Sequence, residues 1–75
     1  MNTTLAKMHV GQTGEISGFH ESNRTVENLL QMGLIEGSAI EILRLAPSGD
    51  PIECRVSGYS LSMRKADAEL VIVTI

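Results

Sequence analysis

Few side chains in this 75-residue sequence could bind a metal ion, and they lie far apart along the chain. The candidate ligands are His9, His20, Glu21 and Cys54, the single cysteine. A zinc site needs about four converging ligands, or about three and a water molecule, often at short spacings such as Cys-x-x-Cys. The sequence contains no such spacing. We therefore expect neither a metal site nor a bound cofactor, and interpret the histidines as solvated loop residues and Cys54 as a small core residue.

The residues that could support catalysis are equally sparse. The segment Gly58-Tyr59-Ser60 begins like a nucleophile elbow, but the second glycine of that motif is absent. The glycines of the chain also do not form a phosphate-binding loop. Asp50 and Glu53 could act as an acid–base pair, but a side-chain hydrogen bond from Asp50 to its own turn is the simpler interpretation. We predict that the chain is not an enzyme.

Composition restricts the partners of the chain. The net charge is -3, and the six basic residues are scattered, with only Arg64 and Lys65 adjacent. Nucleic-acid binding, which usually needs a basic stripe, is not expected, and neither is a polybasic membrane anchor. No apolar run approaches the ~20 residues of a membrane span, and the N-terminus does not resemble a signal peptide. With one cysteine, these features favour a cytoplasmic protein without direct membrane insertion.

Alternating polar and apolar residues predict about five short strands, with one helix between the first two. The predicted helix covers 25–32, with Thr25 as N-cap and Gly33 in the left-handed position after its end. Met1 to Thr4 is interpreted as a frayed start, whereas Leu5, Met8 and Val10 should pack on the core. The predicted strands cover 13–19, 39–46, 52–56, 59–63 and 70–75, and 65–69 is a single helical turn.

These elements predict one mainly β domain over residues 1–75, a small SH3-like barrel of about five strands with one short inserted helix. Closure of the sheet would remove its exposed edges. The turn Pro47-Ser48-Gly49-Asp50-Pro51 should form a rigid hairpin, because proline fixes φ and glycine permits a positive φ. The predicted structural turn residues are Gly33, Gly37, Gly49, Asp50, Pro51 and Gly58.

Three segments in sequence order resemble the FeoA family, the small cytoplasmic accessory proteins of bacterial ferrous iron uptake. They are 32–38 (MGLIEGS), 46–52 (APSGDPI) and 61–68 (LSMRKADA). Two mild departures are Glu36, where the family often has proline, and Ser62, where it often has alanine. The resemblance implies an SH3-like barrel and a partner, the membrane ferrous iron transporter, whose cytosolic region binds GTP. A related domain forms the C-terminal part of iron-dependent repressors.

An SH3-like barrel usually binds extended segments in an apolar groove, so we expect a partner surface around the corners of the barrel. Three hypotheses remain open: a module that regulates or stabilises the transporter, a carrier or sensor of ferrous iron, and a GTPase activator in which Arg24 acts as an arginine finger. A surface ion pair is the simpler expectation for Arg24. The sequence does not define an oligomeric state. The candidate partner-binding residues are Arg24, Met32, Leu34, Pro47 and Tyr59.

Overall fold

The computed structural model describes all 75 residues, and its six strands form one antiparallel sheet. A short helix separates its second and third strands, and no helix is long and apolar enough to cross a membrane. The strands are β1 (Asn2–Thr4), β2 (Thr13–Phe19), β3 (Ala39–Leu45), β4 (Ile52–Val56), β5 (Tyr59–Met63) and β6 (Val71–Thr74); the helices are α1 (Arg24–Gln31) and α2 (Lys65–Ala68), with a 3₁₀ turn at Leu5–Lys7.

The six strands are ordered β1-β6-β2-β3-β4-β5, one strand more than the sequence predicts. The additional strand is β1, so the prediction of a frayed N-terminus is wrong. Asn2 pairs with Thr74, and the Thr74 hydroxyl donates a hydrogen bond of 2.9 Å to Asn2 Oδ1. The first residues are therefore fixed by a partner strand from the far end of the chain.

The sheet is not closed by strand pairing, contrary to expectation, because β1 and β5 are its two edges and no ladder joins them. Short helical segments connect the edges instead. The 3₁₀ turn directly after β1 contacts α2, which follows β5 after one residue. The sheet thus curves around its core, while β1 and β5 each keep one side without a strand partner.

A bulge in β3 changes which side chains face the core. Ile42 pairs with Cys54, but Arg44 pairs with Glu53, so Leu43 is an extra residue on β3. Strict alternation along the strand would place Arg44 on the same face as Ile42. The bulge turns Arg44 to the solvent face instead, where its Nε donates a 2.9 Å hydrogen bond to Glu53 Oε1. Extra residues of this kind reorient all following side chains of a strand.

One hydrophobic cluster of 14 buried residues fills the inside of the sheet. Leu5 and Met8 belong to it as predicted, but Val10 is 59% exposed and does not hold the N-terminus to the core. The other members are Ile16, Leu29, Leu34, Ile40, Ile42, Ile52, Cys54, Val56, Met63, Ala68, Val71 and Val73.

The N-cap of helix α1 lies two residues earlier than predicted. Asn23, not Thr25, is the N-cap, and its Oδ1 accepts a 3.0 Å hydrogen bond from the backbone N–H of Val26. At the other end, Gly33 has φ of 101°, as predicted for the position after the helix. Leu34 N–H donates to the Leu29 carbonyl at 3.1 Å, which completes a Schellman motif and turns Leu34 into the core.

Candidate functional site

Exposed apolar side chains gather where α1 ends. Leu30, Met32, Ile35 and Tyr59 are 41–56% exposed, although large apolar residues usually lie inside a protein. We call these four residues the exit patch. Leu30 lies in the last turn of the helix, Met32 is its C-cap and Ile35 follows it. Tyr59 reaches Met32 from β5.

Tyr59 is fixed over the helix end by two contacts. Its hydroxyl donates a hydrogen bond to the carbonyl of Met32. Below it, Gly33 leaves no room for a side chain, because a Cβ atom there would overlap Tyr59 Oη and lie 3.0 Å from its Cζ. The ring is therefore held in one position, with nearly half of its surface exposed. The expectation that Tyr59 lies at a surface near Met32 agrees with this arrangement.

Two other candidates for the partner surface lie elsewhere. Leu34 is fully buried in the core cluster, so its side chain cannot contact a partner. Pro47 is exposed, but it precedes β4 whereas Tyr59 follows it, and the five residues of β4 at about 3.3 Å each separate them by roughly 16 Å. The structure brings Met32 and Tyr59 together and excludes Leu34 and Pro47 from the exit patch.

Arg24 occupies the first position of α1, at the opposite end of the helix from the exit patch. Its side chain is exposed and takes part in neither of the two ion pairs of the chain. The expected surface ion pair is therefore absent. Seven residues of helix at about 1.5 Å each separate Arg24 from Gln31 by about 10 Å. Arg24 and the exit patch could contact one partner at two places.

The hairpin turn between β3 and β4 has a second structural role. Gly49 has φ of 86°, and its N–H donates to the Ala46 carbonyl at 2.7 Å. The sequence predicted a hydrogen bond from the Asp50 side chain to its own turn, but this prediction is wrong. Asp50 Oδ1 instead accepts a 2.9 Å hydrogen bond from the backbone N–H of Lys65. Asp50 thereby caps α2, and the turn, which continues through a cis bond to Pro51, fixes the segment that crosses between the sheet edges.

The four candidate metal ligands do not converge. No group of three or more His, Cys, Asp or Glu side chains is placed to hold a metal ion. Glu21 Oε2 accepts a 2.8 Å hydrogen bond from Asn23, and His9 and His20 are exposed in separate segments. Cys54 is fully buried; burial, and to a lesser degree the charge of Glu53, raises the pKa of its thiol to about 11. Cys54 is therefore a neutral core residue at physiological pH.

Leu30 and Ile35 are the members of the exit patch that the sequence did not single out. Leu30 is one of three apolar residues of α1; the other two, Val26 and Leu29, are buried, but Leu30 is 42% exposed. At 100° per residue it lies 100° from Leu29, at the border of the buried face. Ile35 follows the Schellman turn, where helical periodicity no longer applies. The only sequence signal for these two residues is that both are apolar and lie next to the predicted end of the helix.

Sequence comparison establishes the family. Residues 3–75 match the FeoA domain. The chain belongs to the FeoA family. A curated FeoA relative, the Fe(2+) transport protein A/Fe(2+) transporter FeoB fusion protein of Porphyromonas gingivalis, is 28% identical over 71 residues. The match covers 95% of this chain and 8% of that protein.

Solved structures agree with this assignment. A FeoA-like protein from Clostridium acetobutylicum is 31% identical with a TM-score of 0.92, over 99% of this chain and 86% of that one. The zinc complex of FeoA from Stenotrophomonas maltophilia, described as a prokaryotic SH3 domain protein, has a TM-score of 0.84 at 18% identity, over 96% and 89% of the two chains. The predicted SH3-like fold is thus confirmed.

The FeoA fold also occurs in regulators. A manganese-dependent transcriptional repressor has a TM-score of 0.88 at 14% identity, over 97% of this chain and 41% of the repressor. At this identity the likeness concerns the fold alone. The expectation named the C-terminal part of iron-dependent repressors, and this match shows the same fold in a repressor described as manganese-dependent.

Proposed function

We propose that this chain is a non-enzymatic accessory module of ferrous iron uptake, which binds the cytosolic GTP-binding region of the membrane iron transporter. The observation that carries this proposal is the relative in which the FeoA and FeoB parts form one polypeptide. A covalent link keeps two domains at high effective concentration, which favours their contact. Since the proposed partner region is cytosolic, the proposal includes that this chain acts in the cytoplasm.

The exit patch is the proposed contact surface. Interface cores are rich in aromatic residues and methionine, and a few buried anchors carry most of the binding free energy. Tyr59 and Met32 are of these types, and Leu30 and Ile35 enlarge the apolar area around them. Because the hydrogen bond to Met32 already holds the Tyr59 ring, binding would cost little additional side-chain entropy.

Calorimetric titration with the isolated GTP-binding domain of the transporter from the same organism tests the proposal. The domain is used without nucleotide, with GDP and with a non-hydrolysable GTP analogue. We expect binding in at least one state, and a Kd raised at least about tenfold by the double substitution Leu30→Ser/Ile35→Ser, because apolar anchors in interfaces commonly contribute this much. Val10→Ser is the matched control, since Val10 is 59% exposed and apolar but lies outside the patch.

Absence of binding in all three nucleotide states would contradict the proposed function. Equal weakening by the double substitution and by Val10→Ser would contradict the exit patch as the contact surface but leave the function intact. Circular dichroism and thermal unfolding of both variants establish that the fold is retained. All substituted side chains are exposed, so little loss of stability is expected.

A second candidate function, activation of the transporter's GTPase, is favoured by the exposed, unpaired side chain of Arg24. An arginine finger accelerates hydrolysis by about 10³-fold or more. This function predicts that the chain stimulates GTP hydrolysis by the transporter domain and that Arg24→Ala removes the stimulation, with Arg24→Lys as the charge-preserving control. If GTP hydrolysis is as fast with the Arg24→Ala variant as with the wild-type chain, the arginine-finger function is ruled out. The third hypothesis, a ferrous iron carrier, has no converging ligands in its favour.

A further inference from the structure

The outer side of β5 is a strand edge that lacks the usual protection against pairing. Edge strands in natural proteins commonly carry a charged residue, a proline or a bulge, which prevents another strand from adding to them. Tyr59-Ser60-Leu61-Ser62-Met63 contains none of these, and its register with β4 is regular along all five residues. Ser60 and Ser62 are exposed.

The turn before β5 determines which backbone groups point outward. Ser57 and Gly58 both have positive φ, 51° and 91°, as in the type I′ turn of a two-residue hairpin. The residues that flank such a turn, Val56 and Tyr59, form the first hydrogen-bonded pair, and hydrogen-bonded pairs then alternate along the ladder. The N–H and C=O groups of Ser60 and Ser62 therefore point away from β4. They make no hydrogen bond elsewhere in the chain.

Those four free groups are self-complementary about Leu61. If two copies of β5 meet antiparallel with Leu61 opposite Leu61 of the second copy, Ser60 of each chain lies opposite Ser62 of the other. Both serine pairs are then hydrogen-bonded pairs, and all four outward groups of each chain find partners. This register leaves no outward backbone group of these two serines unpaired.

The side chains fit the same register. Tyr59, Leu61 and Met63 lie on one face of β5, since each pairs with a core-facing residue of β4: Val56, Cys54 and Ile52. In the antiparallel arrangement, Met63 comes opposite Tyr59 of the second copy but is already buried in its own core, so the new apolar contact is the pair of partly buried Leu61 side chains. Apolar cross-strand pairs of this kind stabilise sheets.

The residues on the opposite face bring no like charges together. Ser60 pairs with Arg55 on β4, and Ser62 pairs with Glu53. Across the shared edge, each row of side chains would run from Arg55 through two serines to Glu53 of the second copy. Opposite charges thus end every row, and no like charges meet at the new ladder.

We propose that this chain forms a two-fold symmetric dimer in which β5 pairs antiparallel with β5 of a second copy, in the register that places Leu61 opposite itself. The occupant of the edge is a second copy because the outward backbone groups and Leu61 are self-complementary in one register, in which no like charges meet. The resulting sheet is continuous across twelve strands. The contact is small, so the dimer dissociates at low concentration.

Sedimentation equilibrium of the full chain from about 10 µM to 1 mM tests for self-association, which small interfaces show in this range. We expect a reversible monomer–dimer equilibrium. Ser62→Pro removes only an outward N–H, which proline tolerates at an edge strand, and it should raise the dimer Kd by about tenfold or more because two of the four new hydrogen bonds are lost. Ser62→Ala, which keeps the N–H, is the control and should leave the Kd unchanged.

The register has a separate test that does not depend on a proline substitution. Under a mild oxidant, a mixture of the Ser60→Cys and Ser62→Cys variants should form a heterodisulfide, since hydrogen-bonded pairs have Cα atoms about 5.5 Å apart, within disulfide range. Each variant alone should cross-link far more slowly, because identical positions are offset by two residues. Cys54 is buried and points to the core, so it cannot compete.

A chain that remains monomeric up to 1 mM would overturn the proposal, as would a dimer that Ser62→Pro leaves intact. Cross-linking of the single variants at the rate of the mixture would show that the edge pairs in another register or not at all, which also overturns it. Because none of these measurements involves the transporter, their outcome is independent of the proposed function.

Discussion

The substitution Gly33→Ala tests the link between the helix end and Tyr59. Gly33 has φ of 101°, and an alanine residue there pays about 1–2 kcal/mol for the left-handed backbone. Its Cβ would also overlap Tyr59 Oη, so the ring must move and its hydrogen bond to the Met32 carbonyl is lost, which costs about 0.5–1.5 kcal/mol more. We expect a total loss of about 2–3 kcal/mol in the free energy of unfolding.

Gly37→Ala is the matched control. Gly37 has φ of 93°, but a Cβ there would meet no atom within 4 Å, so only the backbone cost of about 1–2 kcal/mol applies. Urea denaturation of both variants, followed by circular dichroism, gives the two free energies. In the Tyr59→Phe background, the difference between Gly33→Ala and Gly37→Ala should shrink, because the overlapping hydroxyl is gone. Equal losses for the two alanine variants in the wild-type background would refute the reasoning.

Two further predictions concern the hairpin turn and the core. Asp50→Ala should cost about 1 kcal/mol, the usual value of a helix cap, because the Lys65 N–H loses its acceptor; Asp50→Asn keeps an acceptor oxygen and should cost less, and urea denaturation compares the two. The pKa of the Cys54 thiol is raised from 9.0 to about 11, chiefly by burial, so its contribution to stability is complete below pH 9 and declines as the pH rises towards 11. Unfolding measurements from pH 8 to 11 on wild type and Cys54→Val check this, and a parallel decline in both would contradict it.

Much of the fold follows from local patterns. The bounds of β2, β4 and β5 agree with those inferred from alternation. In β4 the alternation is regular, since Ile52, Cys54 and Val56 are buried, whereas the ladder of β2 with β6 has an irregularity between Ile16 and Gly18. The position of Gly33 after the end of α1 was also predicted correctly, since few other residues adopt its backbone conformation.

The remaining features depend on distant parts of the chain. Asn2–Thr4 carries no apolar pattern and becomes a strand only because β6 lies beside it. The bulge at Leu43 inserts a residue into the ladder without any sequence signal and turns Arg44 outward. Asp50 bonds to Lys65, 15 residues away, instead of to its own turn. Local sequence does not specify such pairings.

The candidate site could be predicted only in part from the sequence, for the same reason. Met32 and Tyr59 were identified by their types, and the structure places them together. Leu34 was expected beside them, but the Schellman turn sends it into the core and leaves Leu30 and Ile35 outside. Which of several apolar residues around a helix end remains exposed depends on the direction that the chain takes after the turn.

Chemical-shift mapping tests the central claim most directly. The ¹⁵N-labelled chain, held at constant concentration, is titrated with the transporter's isolated GTP-binding domain. The proposed function predicts saturable changes that are largest at the amides of Leu30–Ile35 and Tyr59. Unchanged spectra in every nucleotide state would contradict the proposed contact with the transporter, and changes confined to β1 and β6 would contradict the exit patch as its surface.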